Sequence, residues 1–357
     1  MEGLILASHS RKKSATMRDV ASVAGVSHQT VSRVINNSPN VKKELRDKVQ
    51  MAIDDLGYVP NIAARRMGGN RSYLILAIND RARTLDNWNV GRGNDWVDQM
   101  LFGGMMECEK NGFRLIFELV DTEDPAASKQ LARAIASLRP DGVILTPPHS
   151  ENQDLADLLS ANGTAFARLG SSNKDDGINI AMDDKAAARA ATQSVLELNH
   201  RKVAFVAGSS EYLASVDRLE GYRDAMAEAG AAIHPDWEQP GDFSFESGTK
   251  AAANLFNCED RPTAVIASND EMAFALLHEA AEFGIAVPEE LSIISFDDTP
   301  GVRFSVPPLT AIRQPISAMA QRAASELMNE ETVAQTTAQI TLPFELIVRG
   351  STGPVPR

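Results

Sequence analysis

Gln29 and Arg33 stand four residues apart in the stretch DVASVAGVSHQTVSRVINN, which runs from Asp19 to Asn37. Residues at this spacing lie on one face of an α-helix. In the major groove of DNA, Gln can pair with adenine and Arg with guanine in bidentate fashion, and each pair discriminates by about 1–3 kcal/mol. The spacing therefore predicts a helix that reads base edges. The alternative is an ordinary solvated helix face, because Gln, Ser and Arg are common surface residues.

Two short helices around a tight turn would position this face. Thr16 can cap a helix that begins at Met17, and Asp or Glu in the first turn favours its positive end. Gly25 supplies the turn, and Ser27 can cap the second helix. A third helix over Lys43–Leu56 would close a small core. The second helix then divides its side chains between the two environments, with Val31, Val34 and Ile35 inward and His28, Gln29, Ser32 and Arg33 outward.

A basic segment with two glycines, IAARRMGGNRS, follows from Ile62 to Ser72. A helix this short is marginal in water on its own. One interpretation is a flexible linker. The other is a hinge that becomes helical only on DNA, with an apolar side chain that wedges into a base step of the minor groove.

The pattern A-G-V-S-x-x-T-V-S-R-V over residues 24–34 resembles the DNA-binding region of the lactose/galactose-repressor (LacI/GalR) family. The resemblance continues along the chain to about residue 329. It implies base contacts from His28, Gln29 and Arg33, and phosphate contacts nearby. Met67 stands where the family usually has a leucine wedge, and it is apolar and flexible enough to intercalate. The full set of DNA-contacting residues that the resemblance implies is Thr16, Ser27, His28, Gln29, Thr30, Ser32, Arg33, Asn36, Asn61, Ala64, Arg65 and Met67.

The chain of 357 residues is too long for one ordinary core and divides into four predicted parts. These are a disordered leader (1–15), a helix-turn-helix domain (16–60), a hinge (61–72) and a two-lobed body (73–357). Residues 1–72 carry 12 Lys and Arg against 6 Asp and Glu, whereas the remainder carries 23 against 42. A basic head on an acidic body indicates that contact with nucleic acid is confined to the head.

The composition, 43% apolar and 23% charged, is that of a soluble globular protein. No apolar run approaches the roughly 18–20 residues of a membrane span. The apolar GLILA near the start is too short for a signal peptide, and the basic residues follow it. Cys108 and Cys258 have no metal or redox spacing. We therefore expect a cytoplasmic protein with buried single thiols and no membrane partner.

Apolar runs alternate with helical patterns throughout the body, which predicts parallel sheets with helices on both faces. The alternation restarts near Lys202, which favours two similar lobes with a cleft between them. The resemblance implies the same fold class: a small all-α head and an α/β body of two Rossmann-like lobes, similar to periplasmic binding proteins. The predicted strands are Leu74–Ile78, Phe113–Leu119, Gly142–Thr146, Thr164–Leu169, Lys202–Gly208, Thr263–Ser268 and Leu291–Asp298.

Ligands of open parallel sheets bind beyond the carboxyl ends of the strands. Arg218, Asn269 and Asp297 follow three of the predicted strands, and Phe243 lies between two of them. Planar polar side chains beside an aromatic ring are typical of sugar sites. The resemblance implies that all four contact the ligand. Each has an alternative role: Asn269 can cap the next helix, and Arg218 can pair with Asp217 or Glu220 on the surface.

Two features depart from the family pattern. The segment Asn79–Met100 is predicted to be a long loop, and it carries Trp88 and Trp96. Trp96 could stack on a larger carbohydrate, or the loop could cover the apolar surface of its own lobe. Arg168 follows the fourth strand, where many relatives place an acidic ligand contact, so an acidic or larger sugar is implied.

Catalysis is not predicted. The six histidines are scattered, and Ser209 and Ser210 lack the following glycine of a nucleophile elbow. Asp297 and Asp298 are adjacent and point apart at a strand end, so they make a poor acid–base pair. No metal or cofactor is expected.

We therefore expect a transcriptional repressor that is released from near-palindromic operator DNA by a sugar, as a homodimer. The resemblance implies dimer contacts from the helices after Met100 and Glu271 and from Thr299–Ser305. No heptads mark a tetramerising tail, so we expect a dimer and not a tetramer. One alternative is the same fold responding to a nucleobase or acidic corepressor. The other is a sugar-binding transport protein, which the head and the missing signal peptide argue against.

Overall fold

In the computed structural model the chain divides into two compact units, Met1–Ser72 and Tyr73–Arg357. Residues 1–14 of the predicted leader and 61–70 of the predicted hinge lie outside the residues that the structure describes. The described residues are 15–35, 38, 40–58, 71–89, 95–122, 124–171, 176–329 and 337–355.

The head contains the three helices that the sequence predicts: α1 (Met17–Ala24), α2 (His28–Ile35) and α3 (Lys43–Leu56). Thr16 and Asp19 form a capping box at the start of α1, in which the Thr16 N–H donates to Asp19 Oδ2 at 2.7 Å. Helices α1 and α3 end at Gly25 and Gly57, which adopt the left-handed conformation that L side chains rarely adopt. The core of the head is a single apolar cluster of Val20, Val31, Val34, Val49, Ala52 and Tyr58.

The first lobe of the body is built on one six-stranded parallel sheet with helices on both faces. Alternate side chains of the first strand face opposite layers: Ile75 and Ala77 join one apolar cluster, and Leu76 and Ile78 join the other. A strand buried on both faces in this way has no polar alternation. The elements, in chain order, are β1 (Leu74–Asp80), α4 (Arg81–Asn89), α5 (Asp95–Lys110), β2 (Arg114–Val120), α6 (Ala127–Leu138), β3 (Gly142–Leu145), α7 (Gln153–Ala161), β4 (Phe166–Leu169) and β5 (Gly177–Ala181).

The second lobe repeats the plan with another six-stranded sheet. Its elements, in chain order, are α8 (Asp184–Glu197), β6 (Val203–Val206), α9 (Leu213–Glu228), β7 (Glu238–Gln239), α10 (Phe245–Phe256), β8 (Ala264–Ala267), α11 (Asp270–Glu282), β9 (Ser292–Asp297) and β10 (Thr310–Arg313).

The chain then returns to each lobe once more. Helix α12 (Ile316–Met328) packs in the first lobe, β11 (Thr337–Thr341) pairs with β5, and β12 (Glu345–Ile347) pairs with β10. The sheet orders are β11-β5-β4-β3-β1-β2 and β12-β10-β9-β8-β6-β7, and only the β10–β12 pair among them is antiparallel. Three chain crossings therefore join the lobes, after β5, β10 and β11.

The seven predicted strands are all present, and no boundary is shifted by more than two residues. The predicted long loop over Asn79–Met100 is wrong: its first part is helix α4, and α5 begins at Asp95. Asn and Asp residues mask the helical pattern there, because they have low helix propensity. The prediction of two buried thiols holds for Cys108, whereas Cys258 is only partly buried. No helix in the described ranges is long and apolar enough to span a bilayer.

Candidate functional site: a ligand cavity and a nucleic-acid interface

Helix α2 of the head presents its polar face to solvent. His28, Gln29 and Arg33 are exposed, and Ser32 is half-buried. Ser27 caps the helix, since its Oγ accepts the Thr30 N–H at 3.1 Å. The predicted outward row is therefore present, although contact with DNA stays a prediction. Five predicted contacts lie outside the described residues: Asn36, Asn61, Ala64, Arg65 and Met67.

A cavity of about 180 Å³ separates the two lobes of the body. Both lobes contribute to its wall, at the carboxyl ends of the strands where the sequence predicts a ligand. Five of the six predicted ligand residues line it: Trp96 from the first lobe, and Arg218, Phe243, Asn269 and Asp297 from the second.

Arg218 is held by a buried ion pair. Its Nε donates to Asp184 Oδ1 at 2.7 Å, and its Nη1 donates to the Ser268 carbonyl at 2.6 Å. The guanidinium carbon also lies 4.6 Å from the ring centre of Phe296. Burial raises the pKa of Asp184, against the lowering effect of Arg218. The ion-pair partner is thus Asp184 of α8 and not Asp217 or Glu220, the partners of the alternative surface role. This interior ion pair fixes the guanidinium at the cavity wall.

Asp297 and Asp298 point apart, as their adjacency predicts. Asp297 faces the cavity, accepts a hydrogen bond from the Gln314 side chain, and has φ 105°. Asp298 is buried and accepts hydrogen bonds from Arg313 at 2.8 Å and from Arg349 at 2.5 Å. Asp298 therefore ties the end of β9 to later parts of the chain.

The Asp297 carboxyl holds its proton more tightly than an exposed one. Burial raises its pKa to about 7, although Arg218 and the Gln314 hydrogen bond lower it. Asp270 lies next to it, accepts the Thr299 N–H at 2.7 Å, and has a pKa raised first by burial and then by Asp297. A carboxyl of this kind can donate as well as accept a hydrogen bond near neutral pH.

Asn269 lines the cavity and also caps the next helix, which is its alternative role. Its Oδ1 accepts the Met272 N–H at 3.0 Å and so caps α11, which begins at Asp270. Its Nδ2 donates to the Phe243 carbonyl at 2.8 Å. The amide thereby fixes the backbone that carries the aromatic wall of the cavity.

Phe243 adopts φ 68° and packs edge-on against Tyr212, with ring centres 5.3 Å apart. Gly208 allows this position, because a Cβ there would lie 2.1 Å from Phe243 Cζ. The ring is largely buried and forms one wall of the cavity.

Arg83 is a cavity residue that sequence reasoning missed. It belongs to α4, the helix that was predicted as a loop. It crosses from the first lobe to the second, where its Nη1 donates to the Asp242 carbonyl at 3.3 Å. The N–H of Arg83 donates to Asp80 Oδ1 at 2.7 Å, so Asp80 positions the start of α4. The sequence signal for this helix is Asp80 at the end of the strand, followed at once by Arg81 and Arg83.

A series of hydrogen bonds within the first lobe holds the Asp80 carboxylate in place. Thr122 donates its hydroxyl to Asp80 Oδ2 at 2.5 Å and lies 3.5 Å from both ring nitrogens of His149. His149 Nε2 lies 3.0 Å from the Val120 carbonyl. Burial lowers the pKa of His149, which favours the neutral ring.

The prediction that Arg168 contacts the ligand is wrong in this structure. The side chain is fully buried and does not line the cavity. Its three nitrogens donate to the Asp176 carbonyl at 3.2 Å, the Ser150 carbonyl at 2.9 Å and Gln153 Oε1 at 3.0 Å. Arg168 therefore satisfies carbonyl groups of its own lobe. Trp88 also stands apart from the cavity and is 51% exposed.

Comparison with known proteins gives matches to both parts of the chain. Residues 16–61 match the model of bacterial regulatory proteins of the lacI family, and residues 192–352 match a periplasmic binding protein-like domain. The HTH-type transcriptional regulator CelR of Thermobifida fusca is 31% identical over 349 residues, which cover 96% of this chain and 99% of CelR. The chain belongs to the LacI family.

Solved structures of the family have the same architecture. A complex of the transcriptional regulator CelR with cellobiose superposes with a TM-score of 0.69 at 28% identity and covers 94% of this chain and 99% of the other. The lac repressor dimer bound to operator and the anti-inducer ONPF superposes with a TM-score of 0.77 at 26% identity and covers 96% of this chain and 100% of the other.

A second relative by sequence is the repressor PurR of Photobacterium profundum. It is 32% identical over 317 residues, which cover 88% of this chain and 91% of PurR.

Membership in this family relates the helix pair of the head and the cavity of the body to one function, the regulation of transcription. LacI-family proteins are DNA-binding transcriptional regulators, and the capped helix pair of the head is their DNA-binding module. The two-lobed body with its cavity is the part that resembles periplasmic binding proteins. This protein is accordingly a transcriptional regulator of the helix-turn-helix type.

Proposed function

We propose that this regulator is a repressor whose affinity for its operator falls when a neutral carbohydrate fills the cavity between the lobes. The observation that carries the proposal is the convergence of polar and aromatic side chains from separate parts of the sequence on one cavity. A pyranose presents hydroxyl groups at its edge and C–H groups on its face, which suits such a wall. The side chains that would contact it are Trp96, Arg218, Phe243, Asn269 and Asp297.

The charge of the cavity favours a neutral ligand. Six acidic side chains and two arginines line it. Both arginines already have partners, since Arg218 pairs with Asp184 and Arg83 donates to the Asp242 carbonyl. Acidic side chains thus outnumber arginines, and burial raises the pKa of Asp297 and Asp270, so their carboxyl groups can donate hydrogen bonds to sugar hydroxyls. We therefore propose a neutral sugar rather than an acidic one.

Aromatic residues on both sides of the cavity favour a ligand with more than one ring. Trp96 belongs to the first lobe, whereas Phe243 and Tyr212 belong to the second. Each ring can stack on one sugar face. The similarity to a CelR–cellobiose complex supports the same conclusion, and we propose an oligosaccharide as the effector.

We further propose that two chains form a homodimer that binds a near-palindromic operator. His28, Gln29 and Arg33 would contact base edges, with Thr30 and Ser32 closer to phosphates. Asn36 and the hinge residues Asn61, Ala64, Arg65 and Met67 complete the proposed DNA contacts. Apolar side chains exposed on the body would supply the dimer contact, namely Phe102, Met105, Met106, Phe304 and Val306.

The coupling between the two sites would run through the relative position of the lobes. A ligand that contacts Trp96 and Asp297 together favours the closed arrangement, because only then are both contacts made. In a dimer, closure would separate the two hinges and weaken operator binding. Linkage requires the reverse effect as well: operator DNA must weaken sugar binding by the same factor.

A second candidate effector is a purine nucleobase that acts as corepressor. The observation in its favour is the 32% identity to the repressor PurR. The two candidates predict opposite effects on DNA binding, which makes them easy to separate.

The test is a thermal-shift screen of the full chain against cellobiose, other neutral oligosaccharides, sugar acids and purine bases, followed by operator binding with each hit. A ligand at about 100 times its dissociation constant adds about 2.7 kcal/mol to the free energy of unfolding. Stabilisation by a neutral oligosaccharide together with weaker operator binding supports the proposal. Stabilisation by purines alone, with tighter operator binding, would overturn the sugar assignment and support the corepressor.

A further inference from the structure

Three side chains that can bind metal ions meet in the second lobe, and none of them lines the cavity. His234 and Asp236 flank the start of a short 3-10 turn (Pro235–Trp237), and Cys258 follows the end of α10. His234 Nδ1 lies 3.7 Å from Asp236 Oδ2, and Cys258 Sγ lies 3.9 Å from the same oxygen. The three ligand atoms all lie within 4.8 Å of one another.

These distances resemble the edges of a zinc coordination tetrahedron. Bonds of about 2.3 Å to sulfur and about 2.0–2.2 Å to nitrogen and oxygen place neighbouring ligand atoms roughly 3.4–3.6 Å apart. The two separations that involve Asp236 exceed this by only a few tenths of an ångström, and the third, between His234 and Cys258, is at most 4.8 Å. Small rotations of exposed side chains would close that gap, because His234 is 38% and Asp236 is 66% exposed.

Other contacts hold the two segments that carry the three residues in place, and these contacts do not involve the three ligand atoms. Trp237 Nε1 donates to the Asp260 carbonyl at 2.9 Å, which joins the turn to the segment after α10. The His234 ring packs at 5.6 Å from the ring of Trp237. Gln239 Nε2 donates to the Asp236 carbonyl at 2.7 Å. The two segments are therefore held together before any ion binds.

We propose that His234, Asp236 and Cys258 form a binding site for a borderline divalent cation of the Zn²⁺ class. A thiolate, an imidazole and a carboxylate are ligands that Zn²⁺ accepts, and three protein ligands leave the fourth position to water. Oxygen-seeking cations such as Mg²⁺ are excluded by the sulfur and nitrogen ligands.

The proton balance of the site follows from its ligands. Binding releases the Cys258 thiol proton to solvent, because the thiolate is the ligand. His234 Nδ1 accepts the Asp236 N–H at 3.2 Å. In the proposed site the Nδ1 lone pair would bind the cation instead. The Asp236 N–H then turns to water at this exposed position.

A bound ion would cross-link two segments of the second lobe. The ion would tie the turn before β7 to the end of α10, so it stabilises the folded state of that lobe by mass action. The site lies outside the proposed sugar contacts, so its test does not depend on the proposed function.

The experiment titrates the full chain, stripped of metal with a chelator, with Zn²⁺ by calorimetry and with Co²⁺ by absorption spectroscopy. We expect one ion per chain, a thiolate-to-cobalt charge-transfer band and a higher Tm with Zn²⁺. In Cys258→Ser the band should vanish and the affinity should fall by more than about tenfold, since loss of an outer-shell partner alone costs roughly that much. His234→Ala should lower the affinity likewise, whereas Glu259→Gln, which removes the exposed carboxylate beside Cys258, should not.

Three results would overturn the assignment. They are no binding to the wild-type chain, an affinity that is unchanged in both ligand variants, and a cobalt spectrum without the thiolate band. The circular dichroism spectrum and metal-free Tm of each variant show whether it is folded, so that loss of binding is not confused with loss of structure.

Discussion

The guanidinium carbon of Arg83, in the first lobe, lies 5.1 Å from the ring centre of Phe243, in the second. It lies 5.6 Å from the ring centre of Tyr212 as well. These contacts cross the cavity, so they exist only while the lobes keep their present separation. The aromatic wall that we propose for the sugar is thus also the surface by which one lobe contacts the other.

Arg83→Ala should weaken effector binding. A partly exposed cation–π contact contributes about 0.5–1 kcal/mol, so we expect the Kd to rise roughly two- to fivefold. Calorimetric titration with the sugar found in the screen measures this. Arg81→Ala removes an exposed arginine from the same helix and should leave the Kd unchanged. Equal effects of the two variants would show that general charge, not the cross-lobe contact, is responsible.

Asp297→Asn should abolish induction and leave operator binding intact. Hydrogen bonds to charged groups contribute about 1.5–3 kcal/mol, so the affinity for the effector should fall by roughly 10- to 150-fold. Fluorescence anisotropy with labelled operator, with and without sugar, separates the two effects. Asp260→Asn, in the same lobe but away from the cavity, is the matched control. If Asp297→Asn were still induced at the wild-type sugar concentration, the cavity assignment would be wrong.

The stability of the body should depend on pH through Asp297. Burial raises its pKa to about 7 in the folded state from an ordinary value of 3.8. Between these values the folded state holds a proton that the unfolded state has lost, so the free energy of unfolding falls as pH rises through this window. Urea unfolding of wild type and Asp297→Asn across the window tests this. The variant should lose the slope that Asp297 causes, and parallel curves for the two proteins would contradict the assignment.

Arg33→Ala should relax base discrimination at one operator position. A bidentate Arg–guanine pair discriminates by about 1–3 kcal/mol, and the head exposes Arg33 on α2. Binding to operators with each base at each position identifies the affected one. Lys48→Ala removes a positive charge from the exposed side of α3 and should weaken binding uniformly or not at all. A uniform loss for Arg33→Ala would assign that residue to the phosphate backbone instead.

The head was the part of the fold most fully predictable from sequence. Its signals are local: Thr16 and Ser27 cap their helices, and Gly25 and Gly57 end helices with positive φ. Each of these depends on residues three or four positions away at most. The same is true of the seven strands, whose unbroken apolar runs report burial on both faces.

Side-chain partners that are distant in sequence could not be predicted. Arg168 is predicted to contact the ligand because it lies near the carboxyl end of a strand, but it donates to the carbonyls of residues 150 and 176, which no local pattern reveals. The alternative role of Arg218 was a pairing with a neighbour in sequence, whereas its ion-pair partner is Asp184, from another helix. The His234–Asp236–Cys258 group likewise forms only because α10 brings Cys258 back to the turn.

The three crossings between the lobes set the order in which the protein can fold during synthesis. The first sheet has β11 as an edge strand, and the second has β12, so the last strands to leave the ribosome complete both sheets. The first sheet is completed by β11 and the second by β12 shortly afterwards, whereas the head is a contiguous unit that is synthesised before either sheet. A nascent chain therefore has a folded DNA-binding head well before it has a completed sensor.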